Sequence, residues 1–319
     1  EEGKEVIVSN TEVIEQMRAN HDDPDLHYGY QRMTSFLQLL GYLINHKKVY
    51  RLMGENQLLH DRKKRSKKQY VKYRIVIPGG PLEGLEMDIK FVWIEDKRKH
   101  AFVLTILDVF TRNVLVWHTG MSITRHTVKE VFTQVIIEHL QANDMLKKGV
   151  HIEIRNDNDP RFSAKSVQQF FEQNFINQVF THPYTPQENG HVESFHSILG
   201  QSLDKHTFFT LEQLEQHLTI FYEKYNNTRI HGSLAGLPPR MFWEQWNAGN
   251  IERKVLENKK VKFKLLVPKY QLSGNEIQRE ASCLKSNPLN GVKTSLKTVN
   301  GAITENQSSV QRSPSIASC

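Results

Sequence analysis

The sequence predicts an α/β fold, in which a mixed five-stranded sheet is flanked by helices and preceded by an N-terminal helical module. Residues 85–93 alternate apolar and polar side chains, and four short apolar runs follow at 102–110, 114–117, 150–154 and 176–180. Alternation and short apolar runs are typical of strands. Segments with apolar residues at helical spacing separate the later runs. The predicted order is therefore β-β-β-α-β-α-β-α, which is an α/β layer arrangement.

The composition favours an anionic partner and excludes several classes of protein. The 319 residues carry a formal net charge of +7, which fits a nucleic-acid-binding protein and equally a merely basic one. The only cysteines, Cys283 and Cys319, rule out a disulfide framework and a cysteine-based zinc cluster. No apolar run approaches the roughly 20 residues of a membrane span. We therefore expect a cytoplasmic protein without membrane contact. The absence of an initiator methionine is expected of a fragment, a processed product or the downstream part of a fusion.

Residues 1–60 are predicted to form a helical module that resembles a helix-turn-helix. One amphipathic helix ends at Gly41, and a second begins at the N-cap residue Asn45. The first turn of this second helix carries three basic side chains, His46, Lys47 and Lys48. A helix of this kind can enter a major groove. The alternative is a small helical bundle with a solvated basic face.

A basic linker is predicted at 61–79, followed by a core at 80–246 and a basic, then low-complexity tail at 247–319. The basic residues of the linker are Arg62, Lys63, Lys64, Arg65, Lys67 and Lys68. Such a run is typical of a solvated linker, and it can also neutralise DNA phosphates. The tail is rich in Ser, Asn, Thr and Gly near its end and is predicted to be largely disordered, apart from a strand at 261–267.

Three acids are expected to meet at one edge of the sheet. Asp88 interrupts an alternating strand, where Asp is depleted; Asp157 follows the fourth strand, and Glu193 lies on the next long helix. Each has an ordinary alternative role, as a solvent-facing, turn or first-turn acid. Together they can hold two Mg²⁺ ions against a phosphodiester. We expect Asp88 to bridge both ions, Asp157 to complete one site and Glu193 the other. The sequence has no GxxxxGK[ST] loop for nucleotide hydrolysis.

The spacing and flanking sequences of these acids resemble a known family. Asp157 and Glu193 are separated by 35 residues, and further similar segments are HYGYQRM (27–33), NHKKVYRLM (45–53), ENGHVESFH (188–196) and YNNTRIHGSL (225–234). They resemble the insertion sequence three family of transposases, within the DDE transposase and retroviral integrase superfamily with its RNase H-like core. The resemblance covers roughly residues 27 to 246.

The resemblance implies a polynucleotidyl transferase that uses two Mg²⁺ ions, with Mn²⁺ as a substitute. Such an enzyme cuts element ends and joins the freed 3′-hydroxyl to target DNA, with Asp88, Asp157 and Glu193 as catalytic residues and metal ligands. It implies a homo-oligomer on terminal-repeat and target DNA, associated with the bacterial nucleoid, and no small-molecule substrate. It also implies that Arg229 and His231 contact DNA.

Three residues depart from the family pattern. Asn156 and Asp159 replace a usual Ser and Gly, and Gly200 replaces a usual Lys or Arg that would contact DNA. A glycine at 159 predicts a positive φ, which Asp tolerates, and Asp159 becomes a rival metal ligand. These departures leave open a catalytically impaired transposase relic that acts as a repressor. A nuclease of the same fold, which would cut without joining, is a second alternative.

Overall fold

The computed structural model describes residues 7–59, 77–181, 189–257 and 260–272. The six basic residues predicted for the linker and the tail beyond residue 272 lie outside the described residues. The α-helices are α1 (Asn10–Asp22), α2 (Tyr30–Leu39), α3 (His46–Glu55), α4 (Arg125–Val135), α5 (Pro160–Ser163), α6 (Lys165–Gln173), α7 (Gly190–Leu203), α8 (Leu211–Asn227) and α9 (Pro239–Asn247). The strands are β1 (Gly84–Ile94), β2 (Lys99–Asp108), β3 (Val114–Gly120), β4 (Ile152–Asn156), β5 (Ile176–Phe180), β6 (Ile251–Val255) and β7 (Val261–Leu265).

The predicted five-stranded mixed sheet is confirmed, with the strand order β3-β2-β1-β4-β5. The first three strands form an antiparallel meander, whereas β4 runs parallel to β1 and β5 runs parallel to β4. The parallel pairs need crossover connections, which the intervening helices supply. Because β1 is the central strand and is parallel to β4, acids near its middle and just beyond β4 are brought to the same edge.

Helices cover both faces of the sheet, and β1 divides its side chains between them. Apolar residues of β1 such as Met87 and Ile89 join the cluster beneath α4 and α6. The alternate residues Glu86, Asp88 and Lys90 point toward α7 on the opposite face. A second apolar cluster, from α7, α8 and the outer strands, holds α7 there. The period of two along a strand therefore places three polar side chains against one helix.

The predicted helix pair of the N-terminal module is confirmed, together with the additional helix α1. Gly41 has a φ of 97° after α2, a conformation that glycine adopts without strain. Asn45 caps α3, since its side-chain oxygen accepts a hydrogen bond from the Lys48 backbone N–H at 2.9 Å. The three helices do not stand alone. Their apolar side chains share one buried cluster with residues from the end of the core, including Ile230, Leu234, Leu237, Phe242 and Ile251.

The strand expected at 261–267 is present as β7, whereas the expectation of disorder after residue 246 is wrong for β6. Strands β6 and β7 pair as an antiparallel hairpin. Alternation along β7 directs Phe263 toward the rings of Phe110 and Phe242, with centroids 5.2 and 4.8 Å away, while lysines occupy the exposed positions. The apolar density of this segment is low, but its few apolar residues fall on one face of the hairpin.

Two of the segments that carry the family resemblance contact each other. Tyr28, from HYGYQRM, is fully buried. Its hydroxyl donates a hydrogen bond to the Thr228 carbonyl oxygen at 3.3 Å and accepts one from the Ile230 N–H at 2.8 Å, both in YNNTRIHGSL. Lys224 adds an ion pair to Asp23 at 2.8 Å. The N-terminal helices are therefore attached to the core at specific polar contacts.

Replacing Tyr28 by phenylalanine should destabilise this attachment without creating a cavity. The variant leaves the buried Ile230 N–H without its acceptor, which costs about 1–3 kcal/mol. Chemical denaturation should show that loss in the free energy of unfolding. Tyr50→Phe is the matched control because the Tyr50 side chain is exposed. Equal stability of Tyr28→Phe and wild type would show that the two hydrogen bonds contribute nothing.

Candidate active site

Helix α7 lies along β1 so that successive polar residues of the strand meet successive turns of the helix. Glu86 meets the first backbone N–H groups of α7, Asp88 meets His196, and Lys90 lies over Gly200. Two residues of strand and one turn of helix advance by similar distances, about 6.6 and 5.4 Å. The match fixes the register of the helix that carries Glu193 against the strand that carries Asp88.

Glu86 anchors the N-terminus of α7. Its carboxylate accepts hydrogen bonds from the N–H groups of His191 at 2.9 Å and Val192 at 2.7 Å. These groups lack partners within the helix, and the helix dipole favours an anion there. Burial raises the pKa of Glu86 to about 7, against the opposing effects of the two N–H groups and of Arg112 and Arg155. No local sequence signal marks this residue, although it shares a strand face with Asp88.

Asp88 is held from both sides. One carboxylate oxygen accepts a hydrogen bond from the Ile89 N–H at 2.7 Å, and the other lies 3.1 Å from His196 Nδ1. The His196 side chain is nearly buried, and its Nε2 has no hydrogen-bond partner among the described residues. The imidazole therefore presents Nδ1 to Asp88. The structure thus gives His196 a direct contact with this acid.

Asp157 and Glu193 lie within electrostatic reach of Asp88. Asp157 follows β4 directly, and partial burial raises its pKa, with the negative charges of Asp88 and Asp159 acting in the same direction. Glu193, in the first turn of α7, has a pKa raised by partial burial and by the charge of Asp88. Neighbouring like charges disfavour ionisation. The fold therefore gathers the other two acids around Asp88.

Asp159, the rival ligand, is occupied by a different partner. Its two carboxylate oxygens accept hydrogen bonds from Arg161 Nε at 2.7 Å and Nη2 at 2.5 Å, and these bonds lower its pKa. It also caps the short helix α5. Its φ is −56°, so the expectation of a positive φ at this position is wrong. The loop beside Asp157 accepts an aspartate in an ordinary backbone conformation.

The chemistry of this donor set fits a hard divalent cation. The three acids offer only carboxylate oxygens, which Mg²⁺ prefers, and a cation would relieve their mutual repulsion. In the described part of the chain, no three Asp, Glu, His or Cys side chains are arranged closely enough to hold a metal ion. The three acids influence one another's ionisation, and their binding of a shared ion stays a prediction.

The residues predicted to contact DNA occupy two different settings. His46, Lys47 and Lys48 are exposed in the first turn of α3. Arg229 is mostly buried and donates a hydrogen bond to the Asp25 carbonyl oxygen. His231 lies edge-on to a tyrosine ring, and its buried Nε2 has no hydrogen-bond partner among the described residues. Arg229 therefore supports the attachment of the N-terminal helices, whereas His231 packs against Tyr225. Contact of either residue with DNA stays a prediction.

Asp108 has a structural role at the turn that follows β2. It is fully buried and accepts hydrogen bonds from the backbone N–H groups of Leu82, Phe110 and Thr111. Through them it organises the turn after β2.

Across the described ranges of the chain, none of the helices combines the length and apolar character needed to cross a bilayer.

Comparison with known proteins identifies three domain matches. Residues 79–186 and 174–239 match the integrase core domain, and residues 9–66 match an HTH-like domain. The two core matches together span half of the chain. A neighbour among solved structures is a chain of the simian T-cell lymphotropic virus intasome, with a TM-score of 0.41 and 16% identity, covering 86% of this chain and 79% of that one.

Curated relatives include proteins of bacterial insertion elements. A 39.2 kDa protein of insertion element IS476 from Xanthomonas euvesicatoria is 27% identical over 67% of this chain. The chain spans 60% of the length of that relative. The transposase InsK of IS150 from Escherichia coli, named as putative, is 26% identical, over 66% of this chain and 76% of its own length. The resemblance to insertion-element transposases is thus confirmed, and residues 79–239 are similar to the integrase core domain.

Proposed function

We propose that this chain is a DNA transposase that cleaves element ends and joins the 3′-hydroxyl to target DNA. The observation that carries the proposal is the convergence of Asp157 and Glu193 on Asp88. Two of these acids come from strands that are parallel neighbours, and the third comes from the helix anchored along β1. Three carboxylates at the edge of a sheet in an integrase core suit metal-dependent phosphodiester chemistry.

Asp88, Asp157 and Glu193 would hold Mg²⁺, or Mn²⁺ in its place. Bound Mg²⁺ supplies charge stabilisation for the attacking and leaving oxygens of an in-line displacement, most simply as a pair of ions. The remaining residues position the acids. Glu86 sets the start of α7, and His196 fixes the Asp88 carboxylate by a contact of 3.1 Å. Residues that orient the ligands of a metal site in this way affect its metal affinity and its catalytic activity.

DNA is the substrate that this arrangement favours. The exposed basic first turn of α3 is the surface expected to read terminal-repeat DNA, and the HTH-like match supports it. The basic residues at 62–68 would neutralise phosphates. Two element ends must be brought together for joining, so we propose that the chain acts as a homo-oligomer on DNA. The natural setting of such a protein is the bacterial nucleoid.

The test is a cleavage and strand-transfer assay on the terminal DNA of the element. Wild-type protein should nick the 3′ end and join it to a target plasmid in Mg²⁺, and EDTA should abolish both steps. Cleavage without joining would favour the nuclease alternative. Binding of the ends with neither step would favour the repressor alternative. The engagement of Asp159 with Arg161 argues against the repressor, because the altered loop leaves Asp157 next to Asp88.

A further inference from the structure

The polar row of β1 ends in a lysine that lies against a glycine of α7. Lys90 lies two residues beyond Asp88, on the same face of the strand. A Cβ atom added to Gly200 would lie 3.3 Å from Lys90 Nζ and 3.7 Å from its Cε. The ammonium group therefore occupies the surface of α7 that a side chain at position 200 would cover.

Gly200 is aligned with Glu193 on α7. Seven residues make nearly two helical turns, so the two positions share one face of the helix and are separated by about 10 Å along its axis. On β1, Lys90 is about 6.6 Å from Asp88. The lysine thus stands at the rim of the carboxylate site, one step further along both elements that build it.

Lys90 lacks an acidic partner in the described part of the chain. It forms no ion pair there, although its side chain is only partly exposed and two acids of the candidate site lie nearby. A cation held against a helix and left unpaired is available to an anion. An oxygen of a DNA phosphate is the anion that a neighbouring phosphodiester site would present.

We propose that Lys90 binds a backbone phosphate of the DNA strand that enters the carboxylate site, and that Gly200 is the space that admits it. This inference rests on the proposed function. The positive charge beside α7 comes from the strand rather than from the helix. Glycine replaces the usual basic residue at position 200, and Lys90 supplies the phosphate contact from the strand instead.

The test is equilibrium binding of a short random-sequence DNA duplex by the full chain across a range of salt concentrations, with Ca²⁺ replacing Mg²⁺. Lys90→Gln should lower the slope of log affinity against log salt by about one unit, the effect of one lost phosphate contact. Gly200→Leu should lower it equally by displacing the lysine. The double variant K90Q/G200K, which moves the charge to the helix, should restore the wild-type slope.

Lys129→Gln is the matched control, because Lys129 lies on α4, across the sheet from α7. It should leave the slope unchanged. Thermal unfolding checks that each variant folds, and Lys90→Gln alone decides if Gly200→Leu does not. An unchanged slope for Lys90→Gln, or an equal loss for Lys129→Gln, would overturn the proposal. Wild type that binds through Lys90 but joins no DNA would refute the proposed function alone, since binding does not require the chemistry.

Discussion

Asp157→Asn is expected to reduce DNA joining by at least ~10²–10³-fold, the typical cost of removing one group that stabilises transition-state charge. The asparagine keeps the shape of the side chain but loses the negative charge that a metal ion requires. Because the Asp157 side chain is only partly buried beyond the end of β4, the substitution should leave the fold intact. Single-turnover joining in Mg²⁺ measures the effect, and an unchanged melting temperature confirms that folding is not the cause.

Asp159→Asn is the control that separates the two candidate ligands. Asp159 is two residues away and accepts hydrogen bonds from Arg161. Its replacement disturbs the cap of a short helix and should leave most of the joining activity. The reverse result, with Asp157→Asn active and Asp159→Asn inactive, would transfer the ligand role to Asp159 and refute the present assignment.

Glu86→Ala should be the most destabilising substitution near the site. It leaves the first N–H groups of α7 without an acceptor and removes an anion close to the guanidinium groups of Arg112 and Arg155. Breaking a buried charged arrangement by deleting one partner costs about 3–5 kcal/mol. Urea denaturation should show the loss, whereas Glu95→Ala, an exposed change just beyond the same strand, should stay within about 0.5 kcal/mol of wild type.

Glu86→Gln distinguishes positioning from stability. Its amide oxygen can still accept one N–H from α7, so the protein should fold, but the anchor is weakened and uncharged. Joining by the folded variant should fall by about 10–100-fold, as is typical when the groups that orient metal ligands are changed. Full activity in a folded Glu86→Gln variant would mean that the position of α7 does not depend on this carboxylate.

The sheet could be predicted because each strand has a clear local pattern. The alternation at 85–93 and the buried runs after it correspond to β1 through β5, and the apolar stripe through Val192, Phe195, Leu199 and Leu203 is the buried face of α7. The triad was found by its flanking sequences. Its convergence is a consequence of parallel pairing between β1 and β4.

Contacts between distant segments could not be predicted from local sequence patterns. Nothing local to Glu86 indicates that it anchors a helix more than a hundred residues later, and nothing near Tyr28 indicates that it binds Ile230. The family resemblance implied that Arg229 and His231 contact DNA, yet Arg229 is mostly buried and bonded to the Asp25 carbonyl oxygen, and His231 packs against Tyr225. Strand β6 and its pairing with β7 were missed for the same reason, since the apolar face of the hairpin is completed by Phe110 and Phe242.

The central claim is that Asp88, Asp157 and Glu193 bind the catalytic cation together. Crystals of the full chain with a DNA duplex and Mn²⁺, measured at the manganese absorption edge, test it most directly. We expect an anomalous peak at coordination distance from Asp88, about 2.1 Å if Mn²⁺ follows Mg²⁺, with Asp157 or Glu193 completing the site. A peak at Asp159, or manganese bound only away from these three carboxylates, would contradict the account.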